Sequence, residues 1–160
     1  MSKKIIEFFI FHRNGTCLCH LDKFEEQNQI INKVINASSN KETQHRYKLI
    51  YGVLFSMKSF VKTLSPLKNL DSLKSFTTLN YKLHYIEFLN GLRFIFITTP
   101  NTNDLGEELR TIHKNFYTTM ISKNVFCSTE EQIKNEMFLE KVHNYICQLN
   151  KTLQLKFKLN

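Results

Sequence analysis

Residues 5–21 read IIEFFIFHRNGTCLCHL, and the central sheet of the protein can be inferred from this stretch. Its first seven residues predict a strand with apolar side chains on both faces. One face carries Phe9 and Phe11, and the other carries Ile6, Phe8 and Ile10. A strand that is buried on both faces requires helices on both sides of its sheet. The pair Asn14-Gly15 then predicts a type I′ turn, after which Thr16 to Leu21 returns as a second strand.

A long amphipathic helix is predicted from Tyr47 to Leu64. Its apolar residues recur at three- and four-residue steps, at Tyr47, Ile50, Leu54, Met57, Val61 and Leu64. Pro66 disfavours a helical conformation at Ser65 and is therefore expected to end the helix. Between the first hairpin and this helix, residues 22–44 are rich in polar side chains and predict an insertion of uncertain order.

The side of this helix away from its apolar stripe is a candidate partner-binding surface. It carries Lys48, Tyr51, Phe55, Lys58 and Lys62. Under one interpretation, the two aromatic side chains are ordinary scattered surface residues or lie under the neighbouring insertion. Under the other, they are the anchors of a binding surface with a basic surround. The pattern of this one helix favours neither interpretation, because scattered exposed aromatic residues are common.

A second hairpin and a short strand before it complete the predicted sheet. Strands are expected at Ser75 to Leu79, Tyr81 to Phe88 and Leu92 to Thr98. A two-residue turn at Asn90-Gly91 would place Ile86 opposite Ile95. Both faces of this hairpin are again apolar, which agrees with a sheet that is covered on both sides.

Two helices are predicted after the sheet. Asp104 with Glu107, and Ser128 with Glu131, have the spacing of helix capping boxes. The first helix would bury Leu105, Leu109, Ile112, Phe116 and Met120, and the second would bury Ile133, Met137, Val142, Tyr145, Ile146 and Leu149. The stretch from Leu153 to Leu159 alternates strictly between apolar and polar residues. It predicts either an added edge strand or a segment that orders only against a partner.

The predicted order of elements is β-β-α-β-β-β-α-α. This order indicates an α+β three-layer domain, in which a five-stranded antiparallel sheet has one helix on one face and two on the other. The 160 residues are enough for one domain with its own core. We therefore expect a single domain over residues 1–160, with an insertion at 22–44 and a C-terminal tail at 150–160.

The net charge of +8 is concentrated in one part of the chain. Residues 41–82 hold eight basic and two acidic residues and so supply +6 of the total. This excess favours an acidic protein partner or anionic lipid headgroups without specifying either. Arginine occurs only four times, whereas nucleic-acid binding proteins usually cluster Arg and Lys with stacking aromatic residues. No nucleic-acid partner is expected.

The sequence gives no sign of a catalytic or metal site. Cys17, Cys19, Cys127 and Cys147 are expected to be reduced thiols, since no secretory signal precedes them. On a regular strand, Cys17 and Cys19 would share one face while His20 lies on the other, which does not bring three metal ligands together. No glycine-rich phosphate loop or nucleophile elbow is present, and no cofactor is predicted. His84, alone on its hairpin, is interpreted as a hydrogen-bonded structural residue.

The sequence also predicts a soluble intracellular domain. A membrane-spanning helix needs roughly 20 apolar residues, and the longest apolar stretch, Ile5 to Phe11, has seven and contains Glu7. The N-terminus lacks the small-residue cleavage site that would follow the apolar region of a signal peptide.

Three blocks of sequence resemble a known family. They are FIFHRNGTC at 9–17, YKLIYGVLFSMKSFV at 47–61 and YKLHY at 81–85. They are similar to the longin-like (sedlin-type) small subunits of the transport protein particle (TRAPP), and in particular to the subunit 1 family. The resemblance runs from about Ile6 to Leu149, apart from the stretch from about Phe24 to Asn40. The middle block is the most specific of the three.

The resemblance implies the longin-like fold and a role in a multisubunit vesicle tether between endoplasmic reticulum and Golgi. It implies hetero-oligomeric partners, namely other longin-like and Bet-type small subunits, and a Rab GTPase met through the complex. The assembled core of such a complex is a guanine-nucleotide exchange factor, so one subunit need supply no catalytic side chain. The chain would be cytoplasmic and would meet endoplasmic reticulum and cis-Golgi membranes only through the complex. The partner surface is then expected at Lys48, Tyr51, Phe55, Lys58 and Lys62.

Two other classes of function stay open at this point. A stand-alone longin-like or profilin-like adaptor, or a module that regulates SNARE proteins, would use the same fold. A SNARE itself would need a downstream heptad segment and usually a membrane anchor, which the sequence does not show. A small enzyme of unknown chemistry would need a concave polar site with perturbed titratable residues.

Overall fold

Five strands form one antiparallel sheet in the computed structural model, which describes residues 2–24, 40–66 and 72–158. The strands are β1 (Ile5–Phe11), β2 (Cys17–Asp22), β3 (Ser75–Thr77), β4 (Lys82–Glu87) and β5 (Arg93–Thr98), in the spatial order β2-β1-β5-β4-β3. The helices are α1 (Lys41–Leu64), α2 (Gly106–Thr111), which continues as a π-helix (Ile112–Ser122), and α3 (Glu136–Lys158). The predicted order of elements is confirmed.

Two apolar cores lie on opposite faces of the sheet. On one face, α1 packs through Tyr47 and Leu54 against Phe9, Phe11, Leu83, Tyr85 and Ile95. On the other face, the sheet meets the π-helix, α2 and α3, and the buried residues there include Phe8, Ile10, Phe94, Phe96, Leu109, Tyr117, Phe138 and Ile146. The predicted α+β arrangement, with one helix on one face and two on the other, is confirmed as well.

Both hairpin turns differ from the prediction in the same way. A type I′ turn needs a positive φ at both central residues, but in each turn only the glycine has one, Gly15 at 92° and Gly91 at 82°. Each loop therefore has three residues and ends on a left-handed glycine. In the second hairpin this moves the register by one residue, so Tyr85, and not Ile86, pairs with Ile95.

Two irregularities change which side chains share a face of the sheet. The β1–β5 register shifts between Ile5 and Glu7. As a result, Ile6 is 37% exposed, and Ile5 occupies the buried position that was predicted for Ile6. The β1–β2 register shifts beside Cys17, which lies on the α1 side with His20. Cys19 lies in the core on the other side. The prediction of a shared face for the two cysteines was wrong, because an extra residue in a strand reverses the alternation.

The first helix begins earlier than predicted and ends where predicted. It starts at Lys41, because the side chain of Asn40 accepts a hydrogen bond from the Glu42 N–H and so caps the helix. It ends at Leu64, and Ser65 has an extended conformation before Pro66. Most of the insertion predicted at 22–44, namely residues 25–39, lies outside the described residues, and 41–44 belong to α1.

The two predicted capping boxes do not start the later helices. Asp104 accepts from the Gly106 N–H, and α2 begins only at Gly106. Ser128 accepts from the Glu130 N–H within the loop, whereas Asn135 caps α3 by accepting from the Phe138 N–H. The spacing of a capping box also occurs in turns, where Ser and Asp side chains bond to nearby backbone groups.

Further predictions about the helices were wrong, and among them Met137, predicted to be buried in the last helix, is 61% exposed. In the π-helix, Ile112 is buried as predicted. The next buried residues are Tyr117 and Ile121, one position beyond the predicted Phe116 and Met120, because a π turn holds more residues than an α turn. The C-terminal tail is neither a strand nor a separate segment, since α3 continues to Lys158. Each added residue of an existing helix gains a backbone hydrogen bond, and Leu153 packs against the core.

Candidate partner interface

The outer surface of α1 holds all five residues predicted to bind a partner, but these residues differ in how exposed their side chains are. Lys48, Phe55 and Lys62 are exposed, and Phe55 is 61% exposed although it is a large apolar residue. Tyr51 and Lys58 lie closer to the sheet and are half-buried. The structure therefore brings the five together on one flank of the helix, but only three of them are free to contact another protein without rearrangement.

Tyr51 is an anchor for the first hairpin turn. Its hydroxyl donates to the Arg13 carbonyl oxygen at 2.7 Å, and its ring lies against Gly15. The guanidinium carbon of Arg93 lies 4.8 Å from the centre of the same ring, which is the geometry of a cation–π contact. The Tyr51 ring is therefore not freely exposed on the outer side of α1, because the turn and β5 cover one side of it.

Lys58 is held by an ion pair with Glu87 at the end of β4. Glu87 also accepts from the Tyr85 hydroxyl at 3.0 Å and lies 3.6 Å from Arg93. Burial opposes the ionisation of Glu87, but the hydrogen bonds from Lys58 and Tyr85 and the nearby cations outweigh it and lower the pKa of this carboxyl. The ammonium group of Lys58 is thus committed to the sheet.

Two open grooves flank this side of α1. One groove, of about 480 Å³, lies between the first turn, β2 and the helix, and Lys48 and Tyr51 line it. The other, of about 890 Å³, lies beside β4, and Lys58 and Lys62 line it. Four of the five predicted residues therefore line one groove or the other, and Phe55 lies between the two pairs along the helix.

The opposite flank of α1 carries a second apolar strip that the sequence analysis missed. Its large side chains, each about half exposed or more, are Leu49, Val53, Phe60 and Leu64. They follow one another at steps of four, seven and four residues, so they form a continuous row along the helix. The signal was present in the sequence, because α1 has more apolar residues than one buried stripe can hold. Leu64, predicted to belong to that stripe, is on this row instead.

The first turns of α1 are fixed to the sheet by a charged cluster. Arg46 donates two hydrogen bonds to Glu7, and the His20 Nε2 lies 2.8 Å from the same carboxylate. Burial opposes the ionisation of Glu7, but these hydrogen bonds and charges outweigh it and lower its pKa to about 2. An ionised carboxylate only accepts, so Nε2 of His20 carries the proton. In the neutral ring Nδ1 then accepts from the Tyr47 hydroxyl at 2.9 Å.

Burial also shifts the pKa of a thiol and of a second histidine in the sheet. Burial raises the pKa of the Cys17 thiol to about 12, so it is not a nucleophile near neutral pH. His84 is fully buried and bonds to Thr98, as predicted for a structural histidine, and burial together with the Lys82 charge lowers its pKa to about 4. Over the ranges 2–24, 40–66 and 72–158, no three His, Cys, Asp or Glu residues are grouped to hold a metal.

None of the helices in the described part of the chain has the length and apolar character needed to cross a membrane.

Comparisons with known proteins match nearly the whole chain. A family model described as the Sybindin-like family matches residues 5–149. The chain is 33% identical over 138 residues to human "Trafficking protein particle complex subunit 1", covering 86% of this chain and 88% of the relative. It is 30% identical over 148 residues to the protein of the same name from Dictyostelium discoideum, covering 91% and 96%. It is also 33% identical over 121 residues to "Transport protein particle subunit bet5" of Schizosaccharomyces pombe, covering 75% and 77%.

Proposed function

The chain belongs to the Sybindin-like family, among the relatives of subunit 1 of the trafficking protein particle complex, and from this we propose that it is a non-catalytic core subunit of a TRAPP vesicle-tethering complex. The names of its relatives support membership in that complex. The family match runs over residues 5–149, so it includes α1 and every strand of the sheet.

The observation that carries the proposal is the surface of α1. Five large apolar side chains of this one helix are exposed, Phe55 on one flank and Leu49, Val53, Phe60 and Leu64 on the other. Isolated exposed apolar residues are ordinary, but rows of them along a helix are typical of protein–protein interfaces. A subunit that works inside a hetero-oligomer has a partner to cover such rows.

The charges around Phe55 suggest what kind of surface covers it. The cations of Lys48 and Lys62 are exposed on the same flank of α1. Aromatic side chains are enriched at the centre of interfaces, and charges at the rim mainly guide association and exclude wrong partners. We therefore propose that the partner surface predicted at Lys48, Tyr51, Phe55, Lys58 and Lys62 has Phe55 as its centre and Lys48 and Lys62 at its rim. Tyr51 and Lys58 support it from the side of the sheet. We expect acidic side chains on the facing subunit.

The wider role is proposed from the relationship to the subunit 1 proteins. Together with neighbouring longin-like and Bet-type subunits, the chain would form part of the platform on which a Rab GTPase exchanges its nucleotide. It would act in transport between the endoplasmic reticulum and the Golgi, at the cytoplasmic side of both membranes, and would reach them only through the complex. Exchange would belong to the assembly, because surfaces from several subunits deform the nucleotide site of the GTPase.

Affinity purification of the tagged chain from its native cells, with mass spectrometry of the co-eluting proteins, tests the proposal. We expect several other small longin-like and Bet-type subunits in near-equal amounts. The Phe55→Ser variant should lose at least one of them, while its isolated domain keeps its unfolding midpoint. Phe55 suits this test better than Tyr51, because Tyr51 also supports the first turn.

A matched control is available in Leu79, which is 96% exposed in the turn before β4. Leu79→Ser removes a similar apolar side chain from the surface and should leave every subunit in place. Recovery of the wild-type chain alone, at salt low enough to preserve complexes, would refute the proposed function. Loss of subunits in Leu79→Ser as well as Phe55→Ser would refute the assignment of the surface.

A further inference from the structure

The connection between the π-helix and α3 presents two apolar side chains to solvent. Val125 is 94% exposed and Phe126 is 98% exposed, and they are neighbours in the chain. Both lie at the central positions of a turn, because the Cys127 N–H donates to the Asn124 carbonyl at 3.1 Å. Turns usually hold Gly, Asn, Asp, Pro or Ser at such positions, so this pair is not explained by the needs of the turn itself.

The turn is held firmly on both sides. The Asn124 side chain accepts from the Phe126 N–H at 3.0 Å, directly after the π-helix ends. After the turn, Cys127 packs against the core, and the Ile133 N–H donates to the Leu18 carbonyl of β2 at 2.8 Å. A backbone turn that is already fixed in its bound conformation loses little entropy on binding, so it is suited to presenting apolar side chains for recognition.

The surroundings of the tip match an uncharged protein pocket better than a membrane. The loop carries Lys123 and Lys134 against Glu130 and Glu131, so it has no net charge. Attachment to an anionic membrane uses several basic residues beside the apolar group, and the basic excess of this chain lies in residues 41–82 instead.

We infer that Val125 and Phe126 form a second docking point, which inserts into an apolar pocket of a different subunit from the one that covers α1. The tip belongs to the layer of α2, the π-helix and α3, whereas α1 lies on the opposite face of the sheet. The chain would thus be held between two neighbours. This inference rests on the proposed function, since it requires a complex with at least two partners.

The experiment compares three tagged variants purified from native cells: Phe126→Ser, Phe55→Ser and Leu79→Ser. Quantitative mass spectrometry gives the amount of each co-eluting subunit relative to the tagged chain. We expect Phe126→Ser to reduce one subunit at least tenfold, Phe55→Ser to reduce a different one, and Leu79→Ser to change neither. Thermal unfolding of the isolated chains should show the same midpoint for Phe126→Ser and wild type, because the ring makes almost no contact within the domain.

A photoreactive benzoylphenylalanine at position 126 adds a direct readout. It should cross-link to the subunit that Phe126→Ser loses, whereas the same group at position 55 should cross-link to another subunit. A wild-type stoichiometry in Phe126→Ser would refute the inference while leaving the proposed function intact. So would loss of the same subunit from both variants.

Two other occupants would also overturn the inference. If the isolated chain sediments with phosphatidylserine vesicles and Phe126→Ser does not, the tip is a membrane contact. If the isolated chain forms a concentration-dependent dimer that Phe126→Ser abolishes, the tip binds a second copy. If the wild-type chain is recovered without any subunit, the proposed function fails, and this inference fails with it.

Discussion

Gly91, in the turn between β4 and β5, gives a quantitative test of how the two hairpins pack. Its φ of 82° is costly for any residue with a side chain. In addition, a Cβ at this position would lie 2.8 Å from the Cβ of Arg13 in the other hairpin turn. That atom is the root of the Arg13 side chain, so a rotation of the side chain cannot move it away, and the two turns would have to separate.

The expected cost of Gly91→Ala is the sum of these two effects. The left-handed conformation costs about 1–2 kcal/mol, and overpacking of a fixed contact costs about 1–3 kcal/mol. The free energy of unfolding should therefore fall by about 2–5 kcal/mol. Urea unfolding of the purified chain, followed by far-ultraviolet circular dichroism, measures it, and the slope with urea concentration should not change.

Gly52 is the matched control for this substitution. It lies within α1, and a Cβ there would meet no atom within 4 Å. Gly52→Ala should raise the free energy of unfolding by about 0.5–1 kcal/mol, because alanine favours the helix. The reasoning is refuted if Gly91→Ala costs less than about 1 kcal/mol, or if the two substitutions change stability in the same direction.

Two other predictions concern the contacts that join α1 to the sheet. The pKa of Glu7 is about 2 in the folded protein against 4.5 as its ordinary value, so the unfolded chain binds the proton first as the pH falls. The stability that Glu7 contributes is present above pH 4.5 and is lost between pH 4.5 and 2, by about 3 kcal/mol. The urea midpoint of the wild-type chain should therefore fall with pH over this range more steeply than that of Glu7→Gln. Parallel falls in the two chains would contradict a lowered pKa for Glu7. Tyr51→Phe keeps the ring but loses the hydrogen bond to Arg13, so it should cost about 1 kcal/mol in the same unfolding assay, and an unchanged midpoint would show that the hydroxyl does not hold the turn.

The order of elements could be predicted because strong local signals mark each one. Residues 5–11 are apolar on both faces, Pro66 stops the long helix, and a glycine marks each hairpin turn. Such signals depend only on neighbouring residues. They identify where a strand or helix lies. For most strands and helices, the ends in the structure lie within a few residues of the predicted ends.

Details that depend on pairing between distant segments could not be predicted. An irregular pair at Ile6 leaves no trace in composition, yet it turns this side chain to solvent. The π-helix likewise changes the buried set from Phe116 to Tyr117 without any marker residue. The exposure of Phe55 could be predicted, because this residue lies among lysines on the side of the helix away from its apolar stripe. The row that includes Leu49 and Phe60 was missed, since a helix was assumed to have one apolar stripe.

The position of β1 in the sheet has a consequence for how the protein is made. β1 is synthesised first, but its partner β5 follows about 90 residues later in the chain. At about 5–20 residues per second, a ribosome needs roughly 5–20 s to deliver it. During that interval β2 can pair with only one edge of β1, and the backbone groups of the other edge stay open to pairing with foreign chains. The nascent chain therefore has a defined period of aggregation risk, which ends when Arg93–Thr98 leaves the ribosome and closes the centre of the sheet.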